Sequence, residues 1–183
     1  MSRAQSILIF LPDGSPRSVR IAEITNRSVK AVLFPRNKLE YLGQREEVKN
    51  VGIYFLFGES SEDAKPLVYI GEAEDCYTRL KQHNRNKDFW QYGLVIVSKS
   101  QAFTKGHIKY LEYLSIKFAT EVNRYNSENG QVPNKPFVTE PMEADLMDNF
   151  DSIKILLATL GFPIFEAVNK QAVVKLESEI LLI

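Results

Sequence analysis

Two tyrosines, an arginine, a histidine and a glutamate fall in an order that suits chemistry at a phosphodiester. They are Tyr54 in Gly52-Ile53-Tyr54, Tyr69 in Tyr69-Ile70-Gly71, then Arg79, His83 and Glu112. Hydrolysing that bond needs an aligned water with a base to take its proton, positive charge at the nonbridging oxygens, and help for the leaving oxygen. Arg79 and His83 stand four residues apart in a helical pattern and so share a face. A guanidinium there can bridge phosphate oxygens while the imidazole addresses a neighbouring oxygen. A free tyrosine titrates near about pH 10, so Tyr54 acts as a base only where neighbouring cations or a metal favour its anion. Helical angles place Glu112 beside Ile108, Ser115 and Ala119, at the margin of an apolar stripe, whereas Glu121 falls on the opposite face. A carboxylate turned inward is uncommon without a partner. Each residue alone has an ordinary meaning, as a sheet aromatic, a polar helix face or half of an ion pair. Their order is the informative part.

The elements that must position them are legible from hydrophobic period and punctuation. Gly52 to Phe57 and Leu67 to Gly71 are two strands joined by the polar loop 58–66, a hairpin that makes the tyrosines neighbours. Asp75 caps a helix running to about Asn84, and Tyr92 to Ser98 supplies a third apolar strand. A long helix follows from Lys105 to about Val122, with Ile108, Leu111, Ser115, Phe118 and Val122 as its inward stripe. A loop with Asn129-Gly130, Pro133 and Pro136 ends it. The last helix, about Met142 to Leu160, carries Leu146, Phe150, Ile153, Leu157 and Leu160 on one face and stops at Gly161. Upstream, Ser6 to Phe10, Val19 to Ile24 and Val29 to Phe34 read as short strands, with a helical turn near Leu39 to Arg45. The predicted fold is α+β, a small central antiparallel three-stranded sheet flanked by helices, with a short β-rich N-terminal leader. The predicted divisions are 1–48 for that leader, 49–164 for the main unit with its C-terminal helix, and 165–183 for a tail or the start of a linker.

The two tripeptides, with Arg79, His83 and Glu112 behind them, resemble the GIY-YIG endonuclease family over roughly residues 50–126. The run Thr104 to Glu112 and the later helix ending Leu160-Gly161 resemble a bacterial subgroup with an extended C-terminal region. The resemblance implies that Tyr54 helps activate water, with Tyr69 beside it, that Arg79 clamps the transition state, and that Glu112 holds one divalent metal, Mg²⁺ or Mn²⁺. Many members carry Tyr at the position of His83. The family's asparagine matches Asn126 best, with Asn123 and Asn129 as rivals. Some members carry Lys directly after the second tripeptide, where this chain has Glu72, so the cation near Tyr54 must come from elsewhere. No second carboxylate is placed by the sequence to hold another ion, which favours a one-metal scheme.

Composition narrows the setting. The chain has 183 residues, 44% hydrophobic, enough to bury one good core. Formal net charge is zero, which argues against coating nucleic acid with the whole surface, yet the charges are segregated. Cys76 to Tyr110 holds seven Lys or Arg against the single acid Asp88, while Glu140 to Asp151 holds five acids and no base. Because the basic stretch coincides with the motif, Arg85, Lys87, Lys105 and Lys109 are the candidate nucleic-acid contacts. One cysteine, Cys76, forms no internal disulfide and reads as a packing residue in a reducing, cytoplasmic setting. No apolar run reaches membrane-spanning length. The expected function is metal-dependent hydrolysis of DNA phosphodiesters, with RNA left open as substrate and the oligomeric state unread. The alternatives are a noncatalytic nucleic-acid-binding module that keeps the fold, separated by a metal-dependent cleavage assay, and a protein-interaction role, marked by absence of nucleic-acid affinity.

Overall fold

The computed structural model describes residues 3–62 and 64–168. Seven strands form one sheet, β1 (Ile7–Phe10), β2 (Arg20–Ile24), β3 (Val29–Pro35), β4 (Gly52–Gly58), β5 (Leu67–Ala73), β6 (Trp90–Ser98) and β7 (Asn126–Ser127). Four helices accompany them, the single turn α1 (Leu39–Leu42), then α2 (Cys76–Asn86), α3 (Lys105–Val122) and α4 (Glu140–Thr159). The spatial order is β1-β2-β3-β6-β4-β5-β7. All neighbours run antiparallel except β5 and β7, which are parallel. The α+β class is therefore observed.

The three-stranded expectation is corrected. β4, β5 and β6 do pair as predicted, but β3 adds to the other side of β6 through seven residue pairs, from Val29 opposite Ser98 to Pro35 opposite Tyr92. The N-terminal strands are the continuation of one sheet, not an appended leader. The physical reason lies in β3 and β4: VKAVLFP and GIYFLFG are nearly unbroken apolar runs, and such runs belong to strands covered on both faces and paired on both edges. Each face of the sheet is packed accordingly. Ile53, Phe55, Leu33 and Ile96 meet Leu111 of α3 and Phe150 of α4 on one side. Tyr54, Leu56, Val32 and Val95 meet Leu80 of α2 and Leu42 of α1 on the other. Alternation along β4 thus sends Tyr54 to the α2 layer and its neighbours Ile53 and Phe55 to the α3 layer.

Local signals fix the helices that carry function. Asp75 caps α2 by accepting from the Thr78 backbone N–H at 3.0 Å and from its hydroxyl at 2.8 Å. Thr104 and His107 form a reciprocal capping box at the start of α3, and Asn123, with φ of 52°, closes its end in the left-handed region. Cys76 is buried, and burial raises its thiol to about 12, in keeping with a packing residue. No helix among the described residues is long and apolar enough to cross a membrane. The tail expected over 165–183 lies outside the described residues from 169 onward.

Candidate active site

β4 and β5 place Tyr54 directly opposite Gly71. A Cβ at Gly71 would stand 2.2 Å from the Tyr54 hydroxyl, so the missing side chain is what gives that hydroxyl its place. It lies 2.8 Å from Nε2 of His83, which α2 directs down onto the sheet. The Tyr69 ring, two residues before Gly71 and on the same face, completes a cluster. Ring centroids are 6.3 Å apart for Tyr54 and Tyr69, 5.3 Å for Tyr54 and His83, and 5.1 Å for Tyr69 and His83. Tyr54 and His83 are buried, Tyr69 is half-buried and Arg79 is exposed above them. The Arg79 guanidinium lies beside both tyrosine hydroxyls, while its Nη1 donates to Gln82 Oε1 at 2.7 Å on its own helix.

Electrostatics separate the roles of these groups. Burial pushes the Tyr54 hydroxyl well above the ordinary phenol range; Arg79 opposes that, whereas Tyr69 and Glu112 add to it. Burial also lowers His83 to about 4, and the cations Arg79 and Lys87 contribute in the same direction. The imidazole is therefore neutral at physiological pH and able to accept a proton at Nε2. Burial thus favours the protonated phenol and the neutral imidazole, and the tautomer of His83 sets which of the two donates in their hydrogen bond.

Glu112 stands on α3, on the opposite layer, yet its charge acts on Tyr54. The carboxyl is half-buried and has no hydrogen bond or ion pair among the described residues. Burial and the neighbouring Glu72 raise it to about 7, with Lys109 pulling the other way. Glu72, noted in the sequence as standing where some members of the resembled family carry Lys, is close enough to Glu112 for its charge to act on that carboxyl. No group of three or more His, Cys, Asp or Glu among the described residues forms a ready metal cage. An unpartnered half-buried carboxylate with a second one close by nonetheless suits a hard divalent cation completed by water and substrate oxygens.

The structure divides the remaining candidates. Lys87, at the end of α2, lies 4.4 Å over the Tyr69 ring, inside the cluster itself. Its spacing from Arg79 and His83, again four residues on, is the signal that marks it. Lys105 stands 3.6 Å from Glu74, Lys109 is exposed near Glu112, and Arg85 points to the other flank of α2. Asn126 pairs with Leu67 at the far end of β5, and Asn123 caps α3. Asn129 is the asparagine beside the cluster: its amide accepts from the Ile70 N–H at 3.0 Å and donates to the Ile70 carbonyl at 2.8 Å. That pair closes the open edge of β5 where the short β7 stops, so its role there is to hold the strand. No family model, curated protein or solved structure matches this chain.

Proposed function

We propose that the protein is a GIY-YIG-type endonuclease that hydrolyses DNA phosphodiesters, with one divalent metal at Glu112. The observation that supports this most is the Tyr54–His83 hydrogen bond beneath Tyr69, Arg79 and Lys87, a base and three cation or hydroxyl donors in one place. Arg79 moves from Gln82 onto the phosphate oxygens and so uncovers the Tyr54 hydroxyl. Water then gives its proton to the Tyr54 oxygen as Tyr54 gives its own to His83 Nε2, while the water oxygen bonds to phosphorus and the opposite P–O bond breaks, its oxygen leaving with the bond's electron pair and taking a proton from solvent. This relay avoids a free phenolate, which burial disfavours. Lys87 and Tyr69 line the approach and take further phosphate oxygens. The metal, when bound through Glu112 with Glu72 nearby, supplies Lewis-acid stabilisation of charge on phosphate oxygen. The alternative of a noncatalytic binding module has no specific observation in its favour.

The test is incubation with supercoiled, branched and single-stranded DNA, with and without Mg²⁺ or Mn²⁺. Metal-dependent cleavage is the expected result, and its absence on every substrate from folded protein would overturn the reading. Arg79→Ala should slow cleavage about 10²–10³-fold at saturating DNA, the range for loss of a donor to a developing charge, with little change in thermal stability because the side chain is exposed. Metal uptake should depend on pH with a defined sign. Below about 7 the Glu112 carboxyl holds a proton that the metal must displace, so affinity should rise by up to about tenfold per pH unit toward 7 and level above it. Calorimetric titration across pH 5.5–8.5, a span of about three units, reads this directly, and a flat profile would remove Glu112 from the metal.

A further inference from the structure

A second basic surface lies on the other flank of α2, in a groove of about 660 Å³ between that helix and α1. Its walls carry Arg36, Tyr77, Lys81 and Arg85, with Glu40 as the acid among them. The groove is built rather than incidental. Arg36 is clamped across it, donating to Asn84 Oδ1 at 2.8 Å, to the Asn84 carbonyl at 2.9 Å and to the carbonyls of Asp88 and Trp90, with its plane over the Trp90 ring at 4.7 Å. The Tyr77 hydroxyl rests against Gly43, where a Cβ would meet it at 2.5 Å, and this fixes α2 against the end of α1. Lys81 lies over the Tyr77 ring at 4.9 Å, and Arg85 has no hydrogen bond or ion pair among the described residues. Both cations are exposed.

Helical spacing sets the relation of this groove to the candidate active site. Positions 79 and 83 form one row, and positions 81 and 85 another about 200° around the axis, on the far flank. Cys76 and Leu80 anchor the helix to the sheet between the rows, leaving Thr78 and Gln82 on its exposed crest. An α-helix with its side chains is about 10–12 Å across, and the major groove of B-form DNA is about 12 Å wide.

Resting on the reading of the site as a DNA-cleaving centre, we propose that α2 lies along the major groove of duplex DNA. The Arg79 flank then meets the backbone of the strand to be cut, and the Lys81 and Arg85 flank holds the backbone of the opposite strand. The substrate this implies is double-stranded at the cut. Arg36 supplies a fixed wall to the second backbone site, and Lys81 and Arg85 supply its mobile cations.

The experiment is equilibrium binding without metal, to one duplex and to one of its single strands, over a salt series, for the wild type and for Lys81→Ala/Arg85→Ala. The double variant should bind duplex roughly tenfold more weakly near 0.15 M salt, and its salt slope should fall by about 1.8, two phosphate contacts at about 0.9 each. Its affinity for the single strand should barely change. An equal loss on both substrates, or an unchanged slope on duplex, would overturn the crossing of α2 while leaving the cleavage reading intact. Lys81→Glu/Arg85→Glu, with melting curves to confirm folding, repeats the test with reversed charge and should widen the duplex-specific loss. Wild-type protein with no affinity for either nucleic acid would instead overturn both the crossing and the function it rests on.

Discussion

Tyr54→Phe is expected to give folded protein whose metal-dependent cleavage is about 10²–10⁴-fold slower than wild type, the usual contribution of a positioned proton-transfer group. The ring remains against Tyr69 and above Gly71, so strand packing is kept. What disappears is the hydroxyl that the proposed relay places between water and His83 Nε2, 2.8 Å away in the wild type. The change also leaves a buried imidazole nitrogen unpaired, and a loss of about 1–3 kcal/mol is the expected cost. Two readouts keep these effects apart. Melting temperature reports the lost hydrogen bond, whereas the single-turnover rate at a temperature well below melting reports the relay. Near-normal cleavage by folded Tyr54→Phe would remove the tyrosine from the mechanism, and His83→Phe should then be no worse than any core substitution.

Glu112→Gln should move stability and activity in opposite directions. On the proposed metal role of Glu112, cleavage should fall roughly 10³-fold or more, because an interaction of several kcal/mol would be lost, each about 1.4 kcal/mol being a factor of ten. Stability should rise. The folded carboxyl titrates at about 7 against an ordinary 4.5, so the folded state binds the extra proton and stability declines as pH climbs through that interval. At pH 8 the burial penalty is fully present and at pH 4 it is absent. Discounted for partial exposure, its removal is worth roughly 1 kcal/mol, or about 2–4 °C in melting temperature at pH 8 and little at pH 4. Added Mg²⁺ should raise the melting temperature of the wild type and not of the variant. A variant less stable than wild type at pH 8 would mean that Glu112 has a favourable partner in the fold.

Much of the site was legible because it is built from short-range pattern. Alternation in β4 and β5 makes neighbours of Tyr54 and Tyr69, and the four-residue spacing in α2 puts Arg79 and His83 over them. Asp75 marked the start of α2, and α3 runs from Lys105 to Val122 as its periodicity predicts. What escaped depends on pairing between distant segments. Nothing local in Val29–Pro35 says that its partner is Trp90–Ser98, so a strand buried on both faces read as part of a leader. Glu72 looked like a missing lysine because its position relative to Glu112 is set by α3 crossing β5, which sequence spacing does not encode. Asn129's hydrogen bonds to the Ile70 backbone were likewise not legible, because they depend on where the loop after α3 touches the β5 edge.

The place of β6 has a consequence for how the chain comes to be folded. Among the described residues it is the strand that joins β3 to β4, and it is the sixth of their seven strands to leave the ribosome. Until residue 98 has emerged, a three-strand meander and a two-strand hairpin each expose an apolar edge with no partner. The nascent meander already carries Leu8, Ile9 and Phe10, which stay largely exposed even in the finished sheet. Such orphaned edges are templates for wrong pairing, and closure across some sixty residues is slow compared with hairpin formation. On this topology the insertion of β6 is expected to be the committing step of assembly. A stalled or truncated chain ending before Trp90 should be insoluble, while one that includes Ser98 has its central strands in place.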